Sequence, residues 1–598
     1  MVKLRGNILK SVQKPARYVG GEYGQVIKNK NNVKFRFAFC FPDTYEIGMS
    51  NLGIRILYNV LNQRRDTWCE RVYTPWIDME ARMRENNIPL YAHESKDELK
   101  EFSMVGFTLQ YEMSYTNILN MLDLAGMEVC SKDRKETDPF IIAGGPCACN
   151  PAPIAPYIDF FLIGEGEEIF GEIIDKYNEW KASGKLKREY LESIKDITGV
   201  YIPSIHDENS KIQKRIIKDM DTVMYPTNFV VPSTDIVHDR IMLEVFRGCT
   251  RGCRFCQAGY IYRPVREKSV DVLTRQAKES LINTGIDEVS LSSLSTSDYP
   301  CFVELAEKLL EIGKDKKMSL SLPSLRIDSM NVDILKKVQE VRKSGLTFAP
   351  EAGTQRLRDV INKNITKEDI MNSCKLAFEN GWSTLKLYFM IGLPTETYED
   401  LDGIAELTQD IVNVYNEMPK EQRKGRLNIT VSTSTFVPKA NTPFQWVGQD
   451  TMESVEAKQK YLMNKLKIRG VRYKWHSSKV SVIEANIARG GIEIAPVILD
   501  AWKNGAKLDS WDETFKEEVW VEAFKKNNID MQEYAARELP LDAKLPWDNI
   551  FVGVEKDFLK REYSKALEEQ VTMRCSEDHC AACGVTKIAK CKFLNKKK

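Results

Sequence analysis

The stretch Arg247-Gly248-Cys249-Thr250-Arg251-Gly252-Cys253-Arg254-Phe255-Cys256 sets three thiols at Cys-x-x-x-Cys-x-x-Cys spacing. So short a loop can turn three thiolates to one side and hold an iron–sulfur cluster. A four-iron cluster on Cys249, Cys253 and Cys256 keeps one iron without a protein ligand, where a substrate or cofactor can bind. Gly248 and Gly252 let the loop curl. Buried thiols and a zinc knuckle are the competing readings, but zinc usually takes four ligands, with a second pair later in the chain. Another set stands at Cys575, Cys580, Cys583 and Cys591, with His579 beside Cys580. This spacing suits structural zinc, a second iron–sulfur cluster, or free thiols. Its distance in sequence from the first loop suggests a separable site.

The elements around the first loop must position it. Residues 239–450 alternate strand and helix patterns. Strands are expected at 241–246, 288–294, 318–322, 346–349, 384–390 and 428–436. Helices fall between them, at 270–284, 301–312, 332–344, 367–380 and 398–415. Six strand–helix units suit a partial (β/α)6 barrel, whose functional residues sit at strand carboxyl ends. Those ends carry Ser295, Thr296, Ser297 and Asp298, then Ser324 and Arg326, then Glu351 and Arg356, then Gly392 and Pro394. The sixth carries the run from Phe436 through Lys439 to Phe444.

Residues 33–204 also alternate, with strands at 33–41, 103–109, 140–144 and 159–163 and helices at 52–63, 116–125 and 168–179. This is the pattern of a doubly wound, Rossmann-like parallel sheet, which binds ligands at strand carboxyl ends. The loops in question are 42–50, 110–114, 144–150 and 164–168, with Gly144, Gly145, Gly164 and Gly166 at two of them. Cys147 and Cys149 either reach a ligand there or serve as small buried hydrophobes. Around these two α/β units lie a basic arm (1–32), a polar linker (205–238), a C-terminal α+β region (451–570) with several tryptophans, and a Cys-rich basic tail (571–598).

The chain of 598 residues holds 86 Lys and Arg against 85 Asp and Glu, so bulk charge points to neither nucleic acid nor membrane. No apolar run reaches membrane-spanning length, and residues 1–14 lack the apolar core of a signal peptide. Fourteen cysteines without an export signal fit a reducing cytoplasm. Residues 1–36 carry nine basic side chains and one acid. They read as a solvated terminus or a polyanion contact.

The cysteine loop and its barrel resemble the radical S-adenosylmethionine (SAM) superfamily. The resemblance implies that Cys249, Cys253 and Cys256 ligate a [4Fe-4S] cluster and that SAM chelates its open iron. It sets Phe255 near the SAM adenine and gives Gly392 and Pro394 an adenine-contacting strand. Ser295–Asp298 replace the usual Gly-Gly-Glu motif for the SAM amino group. Glu351 and Arg356 supply a carboxylate and a cation suited to the zwitterionic methionine end of SAM or its ribose, and Ser324 and Arg326 after the third strand are further cofactor-binding candidates. The sixth strand resembles those of RNA methylthiotransferases and oxygen-independent coproporphyrinogen oxidases. The N-terminal region resembles a cobalamin-binding domain, with Gly144, Gly145, Gly164 and Gly166 approaching the cofactor. It lacks the Asp-x-His-x-x-Gly motif, since His93 is the one histidine in the first two hundred residues. Cobalamin binding without a histidine ligand and a cofactor-free domain are therefore both open. The implied activity is radical methylation, or a related modification, of a macromolecule, RNA first. A flavodoxin or ferredoxin would serve as reductant. The alternatives are a cobalamin-free radical enzyme acting on a small molecule or polypeptide, and a non-catalytic iron–sulfur scaffold.

Overall fold

The computed structural model describes residues 1–2, 4, 6–314, 318–322 and 346–593. Its N-terminal sheet is built from β1 (Phe35–Phe41), β2 (Thr67–Tyr73), β3 (Met104–Thr108), β4 (Phe140–Gly144), β5 (Phe160–Leu162) and β6 (Val200–Tyr201). The order is β2-β1-β3-β4-β5-β6. The first five are parallel and β6 is antiparallel to β5. Strand order therefore reverses between β1 and β3, which makes a crevice at that point. β1 is buried along its whole length, as its run of Phe-Arg-Phe-Ala-Phe-Cys-Phe requires of a strand covered on both faces.

Two of these strands, β2 and β6, were not expected. β2 is disguised by charge in its middle. Glu70 takes Arg36 of β1 at 2.5 Å, while Arg71 bonds Glu22 and Glu94 at 2.6 Å each. Buried charges are tolerated only when paired in this way. Several basic side chains of residues 1–36 are paired in the same way. Arg17 and Lys14 bond Glu46 at 2.7 and 3.0 Å, Lys30 bonds Asp97 at 3.1 Å, and the Val2 N–H donates to the Lys96 carbonyl.

The linker is tied down as well. It carries β7 (Ile212–Gln213), and Arg215 bridges to Gly164. Then come β8 (Ile241–Glu244), β9 (Phe246–Arg247), β10 (Arg266–Glu267), β11 (Glu288–Ser292), β12 (Ser319–Ser321), β13 (Leu346–Glu351), β14 (Thr384–Ile391), β15 (Asn428–Thr435) and β16 (Val471–Trp475). Among the described residues these make two parallel sheets, β12-β11-β8 and β13-β14-β15-β16, with β9 and β10 as a short antiparallel pair. All six expected barrel strands are present. β16 adds a seventh on the far edge of β15, beyond the expected end of the unit at 450. Helices Val270–Thr284, Phe302–Gly313, Lys367–Glu379 and Tyr398–Glu417 fall where their periodicity places them. The third of these starts in a capping box, with Thr366 and Asp369 bonding each other's backbone. Ser324, Arg326 and the helix expected at 332–344 lie outside the described residues.

The C-terminal region packs against the N-terminal one. Helices Ser478–Arg489, Ala495–Lys503 and Glu517–Lys526 share one apolar cluster with β3, β4 and the helix Tyr115–Leu124. Polar contacts reinforce this packing. Thr116 donates to Asp509 at 2.6 Å, and Asn117 accepts the Leu508 N–H at 2.6 Å. Finally β17 (Ile550–Phe551) pairs with β7. No helix among the described residues is long and apolar enough to cross a membrane.

Candidate functional site

The cysteine loop begins where the β9–β10 pair ends. Gly248 has φ +89°, and a Cβ there would stand 2.7 Å from the Pro264 carbonyl oxygen. Only glycine turns the chain there. Gly252 has no such backbone. Its neighbour is Asn362, whose amide donates to the Gly252 carbonyl at 3.1 Å. Arg254, between two of the cysteines, is fully buried. Its guanidinium donates to the carbonyls of Asp359, Val360 and Gln570 at 3.1, 2.9 and 2.7 Å and bonds Glu562 at 3.3 Å. Its N–H donates to the Ile361 carbonyl. The loop is therefore clamped by segment 359–362 and by the helix Lys556–Leu567. Sequence reasoning missed this clamp because Glu562 and Gln570 lie some three hundred residues away.

The three loop thiols act on one another. Burial pushes Cys249 up to about 11 and Cys256 up to about 12, and the neighbouring Cys253 thiol adds to both. The Arg251 N–H donates to Cys249 Sγ at 3.4 Å. Among the described residues no three His, Cys, Asp or Glu side chains converge on a single metal ion. A four-iron cluster instead carries each thiolate on its own iron.

The expected cofactor-binding residues divide into those near the loop and those committed elsewhere. Phe255 packs against the cluster of Leu357, Met390, Leu393 and Phe436, at the carboxyl ends of β14 and β15. Glu351 ends β13 at φ +68° and bonds Lys363 at 3.1 Å. Lys363 in turn acts on the Cys256 thiol. Asp298 holds Arg251 of the loop at 2.5 and 2.8 Å, accepts from Ser295 at 2.5 Å and bonds Arg574 at 3.1 Å. Thr296 is buried and its hydroxyl bonds Ser293; Ser297 follows it in the short turn Thr296–Asp298. Arg356 bonds Asp400, Glu569 and the Thr395 carbonyl. Gly392 turns at φ +76° with its N–H donated to Glu396 at 2.8 Å, while Pro394 lies half-buried in the turn after it.

A cavity of about 370 Å³ lies between the N-terminal sheet and this loop. One wall is the crevice where the strand order reverses: Phe37 and Phe39 of β1, Gly106 and Thr108 of β3, and Gly144, Gly145, Gly164 and Gly166 beyond. The facing wall holds Phe246, Arg247, Gly248, Tyr262 and residues 292–294. Ion pairs lock the two walls together. Arg247 bonds Glu167 at 2.5 Å and Arg266 bonds Glu165 at 2.6 Å, while Glu244 holds Arg247 from its own side at 2.7 Å. Burial works to raise the Glu165 carboxyl, but Arg266 and Arg247 hold it below its ordinary value. No histidine lines the cavity. His93 is buried elsewhere, between the rings of Tyr45 and Tyr73.

The turn after Gly145 also touches the loop. Gln257, next to Cys256, donates to Cys149 Sγ at 3.2 Å. Cys147 and Cys149 are buried, and burial lifts the Cys149 thiol to about 12. Lys439, in the run after β15, bonds Glu112 and Glu484 at 2.8 and 2.9 Å, so one cation ties three regions.

The tail is not remote. The Cys575 N–H donates to the carbonyl of Thr250, the residue after Cys249, at 3.0 Å. Distance along the sequence gave no sign of this.

Residues 53–203 match the family model described as radical SAM proteins, N-terminal, and residues 243–408 match that of the radical SAM superfamily. An uncharacterized protein of Methanocaldococcus jannaschii is 31% identical over 476 residues, which is 79% of this chain and 92% of that protein. An uncharacterized methyltransferase of Pyrococcus horikoshii is 23% identical over 285 residues, covering 46% of this chain and 58% of its own length. Among solved structures, the cobalamin-dependent S-adenosylmethionine radical enzyme OxsB with aqua-cobalamin bound aligns at TM-score 0.47 and 12% identity, over 90% of this chain and 80% of that one.

Proposed function

The chain belongs to the radical SAM superfamily, and on that premise we propose that it methylates its substrate with a second cofactor, cobalamin, held in the cavity between the N-terminal sheet and the cysteine loop. Membership itself brings a [4Fe-4S] cluster and SAM. Cys249, Cys253 and Cys256 would hold the cluster, which would supply one-electron reduction of bound SAM.

The chain's own residues prepare the site. Arg254 fixes the loop from beneath, and Phe255 presents an apolar wall toward the ends of β14 and β15. Lys363 acts on the Cys256 thiol and bonds Glu351, and this ammonium–carboxylate pair complements the zwitterionic end of SAM. Asp298 anchors the loop through Arg251, so we assign the SAM ammonium to Glu351 in its place. Arg356, paired with Asp400 and Glu569, acts as a brace for the β14 turn.

The observation that carries the cobalamin reading is the cavity itself. It lies where doubly wound sheets bind ligands, at the reversal of strand order, and its other wall is the segment leading into the cysteine loop. Its glycine-rich rim and Phe37, Phe39 and Phe246 suit the apolar dimethylbenzimidazole of the nucleotide tail and a flat macrocycle. The absence of histidine among its lining residues fits a cobalt without a protein nitrogen. Bound there, cobalamin would supply the methyl group.

The acceptor we assign to RNA, on the likeness of the sixth strand to RNA methylthiotransferases. The basic N-terminus no longer supports that choice, because Lys14, Arg17, Lys30 and Arg36 are paired with acids. A flavodoxin or ferredoxin would be the electron donor. All fourteen cysteines are unpaired, which suits a reducing cytoplasm, where we place the enzyme.

Anaerobic reconstitution with iron, sulfide and hydroxocobalamin, followed by desalting, tests the reading. The expected result is stoichiometric corrinoid and a Co(II) electron paramagnetic resonance (EPR) spectrum without nitrogen superhyperfine splitting. Nitrogen splitting, whether from a protein imidazole or from the cofactor's own dimethylbenzimidazole, would reject an arrangement in which that tail is displaced into the sheet and no nitrogen reaches the cobalt. A protein that retains no corrinoid is the cobalamin-free radical enzyme instead.

A further inference from the structure

We propose that Cys575, Cys580, Cys583 and Cys591 hold a second iron–sulfur cluster, docked against the first loop, that relays electrons to it. The proposal rests on the radical SAM reading of Cys249, Cys253 and Cys256 and goes beyond it.

Three observations carry it. The first is position. The tail reaches the loop through the Cys575 N–H and the Thr250 carbonyl at 3.0 Å. One residue earlier, Arg574 bonds Asp298 at 3.1 Å, and Asp298 also holds Arg251. The tail's far end is pinned by Lys592 to Glu267 at 2.5 Å, next to Arg266 of β10. The tail therefore runs beside the cysteine loop and its flanking strands.

The second is a buried group that acts on both sets of thiols. Arg263 is buried, and its charge is felt by Cys583 and Cys575 of the tail and by Cys249 of the loop. Its Nη1 has no hydrogen-bond partner although it is shielded from water, and neither does the buried Nε2 of His579, beside Cys580. A buried guanidinium N–H without an acceptor is costly. A cluster on four thiolates is an anion whose sulfides accept hydrogen bonds, and it would satisfy both groups.

The third is a shared local geometry. In the first loop the Arg251 N–H donates to Cys249 Sγ at 3.4 Å. In the tail the Ala582 N–H donates to Cys580 Sγ at 3.5 Å. In both cases the donor lies two residues after the cysteine. Backbone N–H groups aimed at sulfur stabilise reduced clusters and help set their potential. Of the tail thiols Cys583 is buried and Cys575, Cys580 and Cys591 are half-buried. Like the loop cysteines, they do not converge on a single-ion site among the described residues.

The electron count is simple. A reduced flavodoxin- or ferredoxin-class protein loses one electron. The tail cluster gains it, passing from the oxidised to the reduced state. It returns to the oxidised state as the electron moves on to the cluster at Cys249, Cys253 and Cys256. No proton or atom is transferred.

The test uses the full chain, anaerobically reconstituted with iron and sulfide, and compares wild type with Cys580→Ser and with Cys591→Ser. Expected are about eight irons per wild-type chain and about four per variant. The dithionite-reduced wild type should show spin coupling between two clusters by EPR, and the variants one uncoupled signal that still shifts on adding SAM. Reduction by flavodoxin should slow at least tenfold in the variants, while reduction by titanium(III) citrate, which reaches the loop cluster directly, should not. About four irons in wild type with zinc in the tail, unchanged iron in both variants, or unchanged flavodoxin kinetics would each overturn the relay. Loss of the SAM-dependent shift in wild type would instead count against the first cluster, which separates the two failures.

Discussion

Arg247 and Glu167 join the two halves of the cavity through a 2.5 Å ion pair, two residues before the first loop cysteine. Glu167 closes the Gly164-Glu165-Gly166-Glu167 loop of the N-terminal sheet, and Glu165 binds Arg266 across the same boundary. Changing Glu167→Gln should keep SAM cleavage but lower methylated product on the order of tenfold or more, because small misplacements of reacting groups are expensive. Measuring 5′-deoxyadenosine and product in one assay checks this. Equal loss of both would mean that the pair supports the loop rather than the alignment of the halves.

Replacing Cys249, Cys253 or Cys256 by Ala removes one ligand from a set with no spare. Each variant should bring 5′-deoxyadenosine formation down to background. Full activity in any of them would contradict the cluster assignment, and no SAM turnover in the reconstituted wild type would favour a non-catalytic scaffold.

Leu57 lines the cavity from the helix Leu52–Gln63. A Leu57→Trp change thickens that wall without touching the cysteine loop. Corrinoid retention after desalting should fall several-fold while iron content stays at the wild-type level. Unchanged retention would place the cofactor elsewhere.

Asp509 sets a pH dependence. It is buried, and burial pushes its carboxyl from 3.8 up to about 6, against the opposing bonds from Thr116 and Trp520. A raised carboxyl pKa means that the folded chain binds its proton more tightly than the unfolded one. Stability from this group is full below about pH 4 and is lost as pH rises through 6. Asp509→Asn keeps the shape without the charge. It should gain up to about 2 kcal/mol at pH 7.5 and nothing at pH 4. Urea melts at the two pH values measure the difference, and an equal effect at both would reject it.

Arg71 carries the opposite risk. It sits between Glu22 and Glu94, all three nearly inaccessible to water. Arg71→Met leaves two carboxylates without their cation and should cost about 3–5 kcal/mol. A denaturation midpoint within error of wild type would show that those acids take up protons at no cost.

The sequence showed the functional loop and most of the strands, for physical reasons that also explain the omissions. Three cysteines at fixed spacing constrain chemistry strongly, and β14 and β15 are long enough for their composition to be plain. β2 was hidden because Glu70 and Arg71 look like solvent-facing residues until Arg36, Glu22 and Glu94 are placed around them. Asp298 is expected as a cofactor ligand from its place after β11, and nothing local announces that it also bonds Arg251 and Arg574. The meeting of Cys575 with Thr250 depends on the whole path of the chain, which periodicity cannot encode.

Arg254 has a consequence for how the protein ages. Its four carbonyl and carboxylate partners lie in segment 359–362, the helix Lys556–Leu567 and Gln570, so protein atoms alone hold the cysteine loop in shape. Many small metal domains collapse when stripped, because their ligands are ordered only by the ion. Here the ordering entropy of the loop is met before iron arrives. Air that bleaches the centre should leave a still-folded chain, and repair in the cell becomes a matter of refilling a prepared seat rather than of refolding.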